Sequence, residues 1–134
     1  MSSNETESFR ASALSVALTV KDLAASLAWY QDVVGFAAAE RHDRDGKLAA
    51  VAMRAGDAGF MINQDDGQKG WDRVKGQGFA MMFTTSDDLD ALAAGIKQRG
   101  GTLEMEPTDM PWGAKIFVLI DPDGYKLVVS SPRG

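Results

Sequence analysis

One feature limits what this chain can fold into more than any other: its pattern of elements runs through once and then starts again. Residues 13–20 (ALSVALTV) alternate, with Leu14, Val16, Leu18 and Val20 on one side, which is the period-two signature of a strand with one apolar face. Leu23, Leu27, Tyr30 and Val34 then recur at helical spacing, with Asp22 placed to cap the helix and Gly35 to stop it. Three short strands are predicted at 36–43, 47–54 and 59–63, the first two joined by the Asp45-Gly46 hairpin signal. After a stretch rich in glycine and charge at 64–78, the order repeats. A strand is predicted at 79–85, and Leu89, Leu92, Ala93 and Ile96 form a second amphipathic helix. Ser86 stands as its cap, Asp87 and Asp88 occupy its first turn, and Gly100-Gly101 ends it. Strands follow at 102–106, 114–121 and 125–130, with Asp121-Pro122-Asp123-Gly124 in the order a type I turn favours. Asp88-Leu89 opens the second helix 66 residues after Asp22-Leu23 opens the first.

The chain is thus βαβββ twice. Neither unit alone can cover both faces of its sheet. The expected fold class is α+β: tandem βαβββ modules forming a curved, cup-shaped sheet with the helices outside. Residues 1–10 read as a disordered polar tail with no apolar core of a secretory signal. Residues 11–134 read as a single domain, with module 1 at about 11–64, a linker at about 65–77 and module 2 at about 78–131.

Composition narrows the function. With 134 residues the chain is long enough for one real core, and it holds no apolar run of membrane-spanning length. It has no cysteine, which removes disulfides and thiolate chemistry and leaves the cytoplasm as the expected compartment. A net charge of −5 offers no basic stripe for nucleic acid; it serves solubility and would suit a cationic ligand. A single histidine, His42, means that one chain cannot build a two-histidine metal centre.

Val20-Lys21-Asp22-Leu23 with Ser26, Tyr30, Gly35 and Phe36, and later Pro111-Trp112-Gly113 with Asp121-Pro122-Asp123-Gly124-Tyr125, resemble the opening and closing signatures of the vicinal-oxygen-chelate superfamily. That superfamily includes glyoxalases, dioxygenases and bleomycin-resistance proteins. The resemblance spans residues 13–131. It implies a divalent metal inside the cup, held by His, Glu or Gln and acting as a Lewis acid on two neighbouring substrate oxygens. Carried onto this chain, the four ligand positions fall on Ser15, on or next to Met61, near Met81, and on Val128. None is a hard-metal ligand of the usual kind, so the expectation is a domain without a metal or other cofactor.

Strand parity predicts an apolar cup with a few neutral polar groups, the usual make-up of a small-molecule site. Ser15, Ala17, Met61, Asn63, Met81, Phe83 and Val128 are expected to face it, while Leu14, Phe60, Ile62 and Leu127 face the helices. Thr85 lies near, Trp112 at the mouth, and Trp71 on the linker crossing the rim. The predicted ligand-binding residues are therefore Ser15, Met61, Asn63, Trp71, Met81, Phe83, Trp112 and Val128, with no catalytic residue assigned. The plain alternative is core packing, in which methionine fills gaps. His42 shares a strand face with Glu40, and Glu104 shares one with Glu106; both pairs read first as solvated edges.

The expected function is metal-free binding of a hydrophobic or cationic aromatic small molecule, resembling the bleomycin-resistance branch, in a homodimer that contacts neither nucleic acid nor membrane. The competing readings are a metal-dependent glyoxalase-like lyase, isomerase or dioxygenase with ligands drawn from Glu40, His42, Glu104 and Glu106, and a scaffold without a ligand.

Overall fold

A computed structural model describes residues 8–132; residues 1–7 of the expected tail lie outside the described residues. The order of elements is the one anticipated. Strand β1 spans Ala17–Val20, helix α1 Leu23–Ala28, β2 Ala37–Arg44, β3 Lys47–Ala55 and β4 Ala58–Gln64. The second module supplies β5 Ala80–Thr84, α2 Leu89–Gln98, β6 Leu103–Asp109, β7 Ala114–Ile120 and β8 Lys126–Pro132. Each module forms a four-stranded mixed sheet, in the orders β1-β4-β3-β2 and β5-β8-β7-β6. The fold is α+β with two unclosed curved sheets, as read from the repeat.

Local chemistry sets the element ends. The Asp22 side chain accepts from the Ala25 N–H at 3.2 Å, the expected N-cap. In α2 the cap is Asp88 rather than Ser86. Its carboxylate takes the N–H groups of Asp90 and Ala91 at 3.0 and 3.3 Å, and an anion there also complements the helix dipole. Asp45 and Gly46 both carry positive φ, 53° and 77°, as a two-residue hairpin turn of the I′ kind demands. Helical spacing in the first module predicted one continuous helix. Instead, Trp29–Val34 widens into a π-helical segment that ends where Tyr30 accepts from the Gly35 and Phe36 N–H groups.

One hydrophobic core joins the modules. Leu18, Val20, Val51, Met53 and Ile62 of the first sheet are buried with Phe117, Leu119 and Leu127 of the second, and Leu23, Leu27, Leu89 and Ile96 of the helices pack on them. The aromatic group Tyr30, Phe36, Phe60 and Phe83 crosses between the sheets, with Phe83 centred 5.3 Å from Phe36 and 6.2 Å from Phe60. The helix-packed face of each sheet is thus spent on one core, and the other face of each sheet stays open.

Candidate functional site

The open faces follow from the strand register, since residues directly opposite one another share a face. In the first sheet one cross-strand row runs Glu40, Ala52, Met61, Ala17 and the next runs His42, Ala50, Asn63, Thr19. In the second sheet Met82 lies opposite Val128, which lies opposite Val118, and Thr84 opposite Ser130. Met61, Asn63 and Val128 therefore stand on open faces, where strand parity placed them.

The parity of β5 is the reverse of the one predicted. Met81 pairs with Leu127 and is 7 % exposed within the core, while Met82 is 74 % exposed on the open face. Phe83 turns inward with Met81, to the aromatic group. Nothing in the run Ala80-Met81-Met82-Phe83 breaks the tie from sequence, because both alternating sets are apolar. The structure also corrects Leu14, which is 93 % exposed instead of facing the helices, since β1 begins only at Ala17.

Two cavities open beside one another, sharing Ala58, Gly59 and Phe60 in their walls. The larger, about 400 Å³, is lined by Ser15, Ala52, Arg54 and Met61 on the open side of the first sheet. The smaller, about 260 Å³, lies between the modules, where Val16 and Phe60 face Met81, Met82 and Phe83. Ser15 and Met61 thus share one cavity, and Met81 and Phe83 line the other from the core side. Trp71 and Trp112 line neither. Trp71 packs over Gly67 in its own loop, so closely that a Cβ on Gly67 would sit 2.3 Å from the indole. Trp112, 68 % exposed, stands in the tight turn from Met110 to Ala114.

Apart from the cavities, a polar seam that sequence reasoning did not anticipate joins the modules. The closing turn docks on the opening signature: Asp123 accepts from the Lys21 N–H at 2.7 Å and the Ser26 hydroxyl at 3.4 Å, and the Tyr125 hydroxyl donates to the Thr19 carbonyl at 2.9 Å. Asp121 accepts from the Asp123 and Tyr125 N–H groups on one oxygen and from the Tyr30 hydroxyl at 2.7 Å on the other. Burial pushes the Asp121 carboxyl above the ordinary carboxylate range, opposed by those three donors, and burial likewise raises the Tyr30 hydroxyl. Lys75, 4 % exposed, reaches from the linker between Asp65 at 3.2 Å and Asp123 at 3.3 Å. The Gly67 N–H, with Lys75 and Arg73, holds Asp65 below the ordinary range. Gly76, at φ 79°, brings the linker onto the turn; a Cβ there would lie 2.5 Å from the Gly124 carbonyl oxygen. The seam fixes how the two modules, and so their cavities, sit together. Its signal was present in sequence only as the two motifs themselves.

The residues do not suit a resident divalent metal. Ser15 offers one hydroxyl, Met61 and Met81 or Met82 offer thioethers, and Val128 offers no donor, whereas hard divalent ions need oxygen or imidazole ligands. Among the described residues no three His, Asp or Glu side chains gather to hold an ion. The alternative ligands stay apart: Glu106 pairs with Lys97 at 2.8 Å, and Glu40 with His42 at 3.1 Å.

The comparisons agree with the architecture. The family model of the Glyoxalase/Bleomycin resistance protein/Dioxygenase superfamily matches residues 13–129. The chain belongs to that superfamily. No curated protein matches the sequence. Among solved structures, TioX from Micromonospora sp. ML1 is 19 % identical with a TM-score of 0.73, covering 91 % of this chain and 99 % of its own. A glyoxalase/bleomycin resistance protein/dioxygenase from Nocardioides is 16 % identical with a TM-score of 0.73, over 95 % of this chain and 87 % of its own. The integron cassette protein VCH_CASS1 from the V. Cholerae mobile metagenome is 22 % identical with a TM-score of 0.67, over 92 % and 97 %. At these identities the likeness is one of fold. Among the described residues no helix is long and apolar enough to cross a membrane.

Proposed function

We propose that this superfamily member is a metal-free small-molecule-binding protein that sequesters a hydrophobic or cationic aromatic ligand, resembling the bleomycin-resistance branch. The observation that carries the reading is the adjoining pair of cavities that share Ala58, Gly59 and Phe60, one lined by Met82 and Phe83 and the other by Ser15 and Met61. The smaller cavity is walled mainly by apolar groups, and the larger adds Ser15, Arg54 and Asp57 to its apolar wall, a make-up that suits a ligand held by contact area and a few polar contacts rather than by covalent chemistry. The acidic balance of the chain adds attraction for a cation.

The active form in this reading is a two-fold homodimer. Leu14 and Met82 are large apolar groups exposed at 93 % and 74 %, and a second copy would cover such surface with closed symmetry. A monomer mass by light scattering at micromolar concentration would refute it. A reducing cytoplasm suits a chain without cysteine.

A thermal-shift screen of flat aromatic compounds, neutral and cationic, tests the function, because a ligand that binds only the native state raises its melting temperature. Met61→Arg is expected to abolish binding by forcing a charge into the apolar wall. Hits that survive Met61→Arg would overturn the site.

A further inference from the structure

We propose that residues 13–16 zip onto β4 to lengthen β1, and that the closed strand carries the Leu14 side chain into the smaller cavity as a built-in competitor for its ligand. The inference rests on the reading that this cavity takes a ligand.

Strand β1 stops early. Residues 13–20 alternate as one strand, yet pairing begins only at Ala17. Its partner continues: β4 starts at Ala58, and the parallel register Ala17↔Met61 carries back to set Val16 opposite Phe60, Ser15 opposite Gly59 and Leu14 opposite Ala58. The last bond of the ladder runs from the Met61 N–H to the Val16 carbonyl at 2.8 Å. Alternate residues of a strand turn their backbone groups to the same side, so the Gly59 N–H points as that of Met61 does. Among the described residues the next bond, from the Gly59 N–H to the Leu14 carbonyl, is not made. The edge of β4 therefore offers places for a segment that already has the alternation of a strand.

Leu14 gives closure a consequence. It is 93 % exposed, whereas Leu18 and Val20, which share its parity, are buried in the core and Val16 is half-buried. In the open form Leu14 and Ser15 line the larger cavity. The closed strand moves Leu14 to the other face, beside Val16 and Ala58. Both line the smaller cavity, opposite Phe79, Met81 and Phe83. At about 260 Å³ that cavity has room for a leucine side chain. Ser15 would then stand on the open face, next to Gly59 and in one row with Arg54.

Two opposing effects set the balance. Burying an apolar side chain favours closure, and fixing the backbone of a few residues opposes it by a similar amount. Open and closed strands are thus both populated. A ligand in the smaller cavity binds only the open one and shifts the population towards it.

The chain has no cysteine, so two introduced thiols can bond only with each other. Directly opposite residues of adjacent strands lie about 4.8 Å apart, within the span of a disulfide. Leu14→Cys with Ala58→Cys in the full chain should form a bridge under mild oxidation. The bridge should slow amide exchange at Gly59 and weaken binding of the neutral dye N-phenyl-1-naphthylamine at least tenfold, and reduction should reverse both. Both positions are exposed in the open form, so the reduced variant should melt as the natural chain does. Leu14→Ser, which gains nothing by closing, should bind the dye about twofold more tightly than the natural chain. Met82→Arg, in the wall of the smaller cavity, should lose the dye. Failure of the bridge to form, or equal exchange at Gly59 in both states, would overturn the closed strand. A bridge that leaves dye affinity unchanged would overturn the competitor alone and leave the binding function standing. A dye that no form binds, or that Met82→Arg still binds, would remove the smaller cavity as a ligand site and the competitor with it.

Discussion

Replacing Tyr30 by Phe removes one oxygen from the middle of the module seam. The ring is fully buried and would keep its neighbours, with Phe60 centred 5.2 Å away and Phe36 6.0 Å away, so little packing is lost. What disappears is the 2.7 Å hydrogen bond to Asp121 Oδ2. Oδ1 keeps the N–H groups of Asp123 and Tyr125, and Oδ2 is left in a buried place without a donor. A bond to a charged acceptor is worth about 1.5–3 kcal/mol, so the expected loss at neutral pH is about 2 kcal/mol. With a urea slope of about 1–3 kcal/mol per molar, the unfolding midpoint should fall by roughly 1 M, read by tryptophan fluorescence. The pH dependence carries a sign. Asp121 is already raised by burial, so the native state takes up its proton before the unfolded chain does as pH falls. Losing the Tyr30 donor raises it further, so the deficit of Tyr30→Phe should shrink as pH falls from neutral towards the ordinary carboxylate range. In an Asp121→Asn background the cost of Tyr30→Phe should drop well below its value in the natural chain. A midpoint unchanged at neutral pH, or a deficit that is the same at every pH, would refute the argument.

Three further outcomes are expected. Met82→Arg should alter the melting temperature little, since Met82 is exposed, yet abolish ligand binding or dimer formation; Met81→Arg one position earlier should leave no folded protein in the soluble fraction, because it buries a charge in the core. Asp88→Ala should cost about 1 kcal/mol in chemical denaturation by freeing the Asp90 and Ala91 N–H groups, and Asp88→Asn should restore most of it. Protein purified without chelator should carry no stoichiometric zinc, nickel, iron or manganese by elemental analysis, because Ser15, Met61, Met82 and Val128 supply no hard-ligand set; about one metal per chain would redirect attention to His42 and Glu40.

Much of the architecture was legible because local signals agreed with one another. Asp22 and Gly35 bounded the first helix, Asp45-Gly46 fixed a hairpin, and the repeat of strand, helix and three strands named the fold class. The site was only partly legible. Met61, Asn63 and Val128 lie in strands whose open-face set also holds Gly59, Lys126 and Ser130 against Phe60, Ile62 and Leu127 on the other, and the open face could be read from that contrast. In β5 the contrast is missing, and the choice between Met81 and Met82 was made by pairing with β8, which sets Met81 beside Leu127.

By itself, then, the sequence determined much of what depends on neighbours along the chain: element order, the Asp22 cap, the turns, the duplication, and too few histidines for a two-histidine metal centre; the cap of the second helix it put at Ser86, two residues before Asp88. The tertiary structure decided what depends on residues far apart. It chose which face of β5 meets the core and set Tyr30 on Asp121, 91 positions away. It also buried Lys75 between Asp65 and Asp123, a pairing that no local pattern encodes. The physical reason is that a side-chain period records only that two faces differ. Which of two similar faces is buried, and which charges are drawn together out of water, is settled by the packing of one module against the other.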